Sequence, residues 1–85
     1  MAEAYGNRGN AYADKGDLDR AIADFDQAIQ LELSDTRVYY NRGTAYAQKG
    51  EKEKAIADLD KFLELCNDPY WRMLAELQLK ALGAK

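Results

Sequence analysis

The sequence predicts an all-α fold, a superhelical stack of antiparallel helix pairs with five helices in one domain. Three observations carry this expectation. Residues 2–35 laid over residues 36–69 match at 15 of 34 positions, so the chain contains a tandem repeat. Within each copy the apolar residues recur at helical spacing in two stretches, divided at Gly16 and at Gly50. A single proline, Pro69, punctuates the chain, and helices are allowed almost everywhere else.

The first helix is predicted at about residues 2–15, where Tyr5, Gly9 and Tyr12 share one narrow face at ~100° per residue. Glycine inside a helix costs about 1 kcal/mol against alanine, a cost offset only by a close approach to another helix. Gly16 ends this helix and Asp17 supplies an N-cap for the second, predicted at 18–31, with Ala21, Phe25 and Ala28 as its buried stripe. The third helix, at 35–49, repeats the pattern with Tyr39, Gly43 and Tyr46. The fourth, at 52–65, buries Ala55, Leu59 and Phe62 after Gly50, with Glu51 as a weaker cap. Asn67-Asp68-Pro69 is a strong helix start, and a fifth helix runs from 69 to about 82 before Gly83. The organisation is therefore repeat 1 at 2–35, repeat 2 at 36–67 and a capping helix at 68–83.

Composition narrows the function. With 12 basic and 15 acidic residues the formal charge is −3, which offers no basic field for nucleic acid or an anionic membrane. No apolar run approaches the ~20 residues of a membrane span, and no signal peptide opens the chain, so a cytoplasmic setting is expected. Without histidine and with one cysteine, Cys66, the chain lacks the means for His-based acid–base chemistry, Cys/His metal sites or an internal disulfide. Cys66 reads as a half-buried thiol at a helix end, with no base beside it. No enzyme activity, cofactor, metal or small-molecule substrate is expected, because no nucleophile and base converge.

The period of 34, the run Tyr5-x-x-Arg8-Gly9-x-x-Tyr12 and the following Ala21-x-x-x-Phe25 resemble the tetratricopeptide repeat, over residues 2 to about 67. The resemblance implies a right-handed superhelix and a role in binding proteins or peptides. Arg8 and Arg42 stand where the family usually has Leu, Leu59 replaces an aromatic, and Leu33 and Asn67 occupy places often held by Pro. The chain opens at a repeat boundary, as an excised or engineered fragment of a longer array would.

Both copies carry an arginine and an aspartate pair: Arg8 with Asp24 and Asp26, Arg42 with Asp58 and Asp60. Duplication suggests architecture, so each guanidinium is expected to pair with a facing carboxylate. Anion binding by the arginines and cation binding by the aspartates are the competing readings.

Surface positions that differ between the copies are the better place to seek function. A second stripe on the first helices holds Glu3, Gly6, Asn10, Ala13 and Asp14 in one copy and Arg37, Tyr40, Thr44, Ala47 and Gln48 in the other. In the family the equivalent faces line a concave peptide groove, so Asn10, Arg37, Tyr40, Asn41, Thr44 and Gln48 are the candidate groove residues. The family's carboxylate clamp needs a Lys where Gly6 stands, which argues against a chaperone-tail receptor. An ordinary solvated helix face is the competing reading.

The fifth helix is apolar around most of its circumference, with Arg72, Glu76 and Lys80 on one narrow strip. Tyr70, Trp71, Met73, Leu74, Leu77 and Leu79 are therefore the candidate oligomer interface, and a homo-oligomer is expected. The simpler alternative is a cap packed on Phe62 with some leucine left exposed.

Overall fold

A computed structural model describes residues 2–32 and 36–83. The expectations for Leu33 and for the start of the third helix at residue 35 fall outside the described residues, as does the side chain of Glu3. Five helices follow in chain order: α1 Ala2–Asp14, α2 Leu18–Leu31, α3 Thr36–Lys49, α4 Lys52–Leu65 and α5 Pro69–Ala81. They form a helical repeat stack in which α1 packs on α2, α3 on α4, and α2 on α3.

The turns within each pair are built alike. Gly16 and Gly50 take positive φ, 84° and 89°, a conformation that a side chain would strain. The next amide then closes on the preceding helix, Asp17 N–H on Tyr12 O and Glu51 N–H on Tyr46 O, both at 2.9 Å. The caps differ as expected. Asp17 accepts from the Arg20 amide at 3.3 Å, whereas Glu51 makes no side-chain cap bond. Asp68 accepts from the Tyr70 amide at 2.9 Å, with Pro69 opening α5 where no amide is needed.

The glycines of α1 and α3 sit where helices touch. A Cβ at Gly9 would lie 2.7 Å from Phe25 Cε1 and 3.1 Å from Ala21 O; one at Gly43 would lie 3.2 Å from Leu59 Cγ. The expected core stripes are buried: Ala21, Phe25, Ala28, Ala55, Leu59 and Phe62, joined by Val38, Tyr39 and Ala45 of α3. From α5, Ala75 and Leu79 complete the core.

Arg72 departs from the sequence reading. Unlike Glu76 and Lys80, which share its strip and are exposed, it is half-buried and donates through Nη1 to Leu63 O at 2.6 Å and Cys66 O at 2.9 Å. It thereby satisfies carbonyls left open at the end of α4. Periodicity could not reveal this, because the acceptors are backbone carbonyls at the end of α4 and not side chains.

Candidate protein-interaction surfaces

The duplicated arginines are structural, and they are not equivalent. Arg8 grips Asp24 with two bonds of 2.8 Å, from Nε and Nη2. Arg42 grips Asp58 in the same way and uses its remaining Nη1 to reach Asp26 of α2 at 2.7 Å. The second arginine therefore ties its own pair together and joins it to the preceding pair. Asp24 and Asp58 are buried beneath these forks. The Arg8 guanidinium holds the Asp24 carboxyl below its ordinary range, its hydrogen bonds outweighing the desolvation that opposes them. Each guanidinium also lies near tyrosine rings, Arg8 by Tyr5 and Arg42 by Tyr39 and Tyr46.

A second ion pair joins the pairs seven residues further along. Lys49 of α3 meets Asp19 of α2 at 2.6 Å and Glu51 at 3.4 Å. Asp19 chiefly, then Glu51, raises the lysine's proton affinity.

The groove residues fall into two adjoining recesses. A cleft of about 810 Å³ is lined by Gly6 and Asn10 of α1, by Arg37, Tyr40 and Asn41 of α3, and by Trp71 of α5. A smaller recess of about 390 Å³ contains Asn10, Tyr40, Asn41, Thr44 and Gln48. Asn10, Arg37 and Gln48 are exposed, while Tyr40, Asn41 and Thr44 are half-buried.

Sequence reasoning missed the fifth helix as a wall of this cleft. The Trp71 ring stands edge-on to Tyr40 at 5.6 Å, and Tyr40 in turn meets Phe62 at 5.1 Å. Gln78 donates to Thr44 Oγ1 at 3.0 Å, and that hydroxyl donates to Tyr40 O at 3.0 Å. Tyr40 and Thr44 are thus already engaged by α5. The signal was present in the repeat length: Asn10, Thr44 and Gln78 lie 34 residues apart and line successive first helices.

The proposed oligomer face is divided. Leu79 is fully buried, which removes it from any surface, and Leu74 is half-buried. The reason is register: Leu79 falls one repeat after Ala45, the inward position of α3. Tyr70, Trp71, Met73 and Leu77 remain 45–60% exposed. Cys66 is half-buried beside the cleft, its Sγ 4.0 Å from Asp68 O. Among the described residues no cluster of three or more acidic or cysteine side chains could hold a metal ion, and no helix is long and apolar enough to cross a membrane.

Paired helices stacked in register, with a cleft walled by their first helices, define a helical-repeat protein of the kind that binds other proteins. Family models agree: a TPR repeat model matches residues 9–50 and a tetratricopeptide repeat model matches residues 36–69. The chain belongs to the tetratricopeptide repeat family, whose repeats generally mediate protein–protein interaction. Comparison with curated proteins gives no match.

Proposed function

We propose that the chain is a non-catalytic interaction module that self-associates through α5, two copies pairing this helix about a two-fold axis. One observation carries the reading. Of the large apolar side chains that are exposed among the described residues, Leu31, Tyr70, Trp71, Met73 and Leu77, four belong to α5. A second copy therefore offers an apolar complement chiefly through its own α5, which makes an isologous pairing the natural one. Leu77 falls one repeat after Gly43, whose α-carbon faces Ala55 and Leu59 of α4. In α5 the corresponding face leaves Leu77 exposed.

Light scattering across a concentration series tests this, using the chain and its Leu77→Glu variant. A dimer that becomes monomeric in the variant supports the pairing. A monomer at every concentration would remove it and leave α5 as a cap.

The cleft supports a second reading, a receptor for an extended peptide. Asn10, Arg37 and Asn41 line it without a side-chain hydrogen bond or ion pair among the described residues. They could bond a peptide backbone and an acidic group, with Tyr40 and Trp71 as apolar walls. Asn10→Ala and Asn41→Ala are the appropriate probes in a peptide-library titration. Tyr40→Ala is not, because Tyr40 also seats α5 through Trp71.

A further inference from the structure

The chain passes from one layer of the stack to the next at two junctions, α2 with α3 and α4 with α5, and their charges differ. At the first, Arg42 meets Asp26 at 2.7 Å and Lys49 meets Asp19 at 2.6 Å, with Val38 and Ala45 of α3 buried in the same contact. The second is built in the same register. Leu79 is buried one repeat after Ala45, and Gln78 bonds to Thr44 one repeat before it.

The ionic positions of the second junction no longer match. On α4, Asp60 and Glu53 stand one repeat after Asp26 and Asp19, while on α5 the places of Arg42 and Lys49 are taken by Glu76 and Gly83. One attraction has become a meeting of like charges, and the other has lost its cation. Asp60 and Glu76 are both exposed, and neither has an ion pair or a side-chain hydrogen bond among the described residues.

The bonds that hold α5 lie towards its start. Arg72 ties the first turn to the Leu63 and Cys66 carbonyls, Trp71 stands against Tyr40, and Gln78 reaches Thr44. After Gln78, no polar side chain of α5 bonds to the stack among the described residues.

We propose that α5 is a hinged flank of the groove, pinned at its start by Arg72 and loosened by the repulsion of Glu76 from Asp60, so that it opens while α1 to α4 stay folded. Opening frees the Thr44 hydroxyl, which lines the smaller recess, from Gln78. The charge of the junction thus sets how closed the groove is at this end. The device does not depend on copies pairing through Tyr70, Met73 and Leu77.

The test is amide exchange, followed residue by residue in the full chain and in Glu76→Lys, Asp60→Lys and the double variant. Each single reversal puts opposite charges across the junction and should slow exchange in α5 about two- to fivefold. The double variant restores like charges and should return α5 to nearly its original rate. Exchange in α1 and α2 should stay unchanged throughout, which also verifies that each variant is folded. Salt should slow α5 exchange in the unmodified chain and quicken it in either single variant, because it screens repulsion in the one and attraction in the other. Rates indifferent to the reversals would overturn the proposal, as would a double variant in which the two single effects simply add. Slowing spread evenly over all five helices would overturn it too, by showing that α5 opens only with the whole fold. Slowing that disappears on dilution would assign the effect to copy pairing instead.

Discussion

The amide of Gln78 donates to the hydroxyl of Thr44 at 3.0 Å, a bond between residues one repeat length apart. It joins the third and fifth helices at the same level of the stack, which places α5 in the register of a first helix. Gln78→Ala should loosen that seat by about 1 kcal/mol, the net worth of a part-buried neutral hydrogen bond. Amide exchange in α5 should quicken while exchange in α1 and α2 stays unchanged. Uniform acceleration across all helices would show instead that α5 unfolds only with the rest.

Removing Arg42 should cost more than removing Arg8. Arg42→Ala strands the buried Asp58 carboxylate and also cuts the link to Asp26, for a loss of about 2–4 kcal/mol. Arg8→Ala breaks a pair whose guanidinium is mostly solvated, and its effect should be smaller. Urea midpoints of the two variants provide the comparison. A cycle of Arg42→Ala with Asp58→Ala should show coupling, since the second change removes the carboxylate that the first left unpaired.

Acid should weaken the fold partly through Asp24. Its carboxyl is held below the ordinary range, so its contribution is fully present above the unfolded pKa of about 3.9. That contribution is lost as pH falls through the lower folded value. Asp24→Asn should therefore lower stability at neutral pH and flatten its decline in acid, as read by denaturant titrations between about pH 6 and pH 2. An acid limb of unchanged steepness would exclude Asp24 as a contributor.

Gly9→Ala should destabilise although alanine is the better helix former. The new methyl would lie 2.7 Å from the fully buried ring of Phe25, and overpacking of this kind costs about 1–3 kcal/mol against a propensity gain of about 1. Gly43→Ala meets its neighbours at 3.2 Å and should be tolerated better. Thermal midpoints of the two variants should fall in that order.

The helices and their pairing were legible because each determinant is local: a glycine at the turn within each pair, an aspartate or proline at two of the starts, and an alanine stripe at helical spacing. Their repetition removed ambiguity about register. The fifth helix was less legible because it is apolar around most of its circumference, and a pattern without a polar side does not say which side turns inward. Leu79 was assigned to the surface for that reason. Carrying the 34-residue register one unit further would have placed it with Ala45 in the core and Gln78 beside Thr44. Arg72 was misread for a different reason, since its partners are backbone carbonyls that no side-chain pattern encodes.

The chain contains one tryptophan, and Trp71 stands edge-on to Tyr40 where α5 meets α3. Its indole is half open to solvent on one side and flanked by Tyr70 at 5.7 Å. Intrinsic emission therefore reports selectively on the junction between the last helix and the stack. Copy pairing on α5, peptide entry into the cleft and detachment of the helix would each change the solvent around this ring. The molecule can therefore be interrogated at this junction without a label.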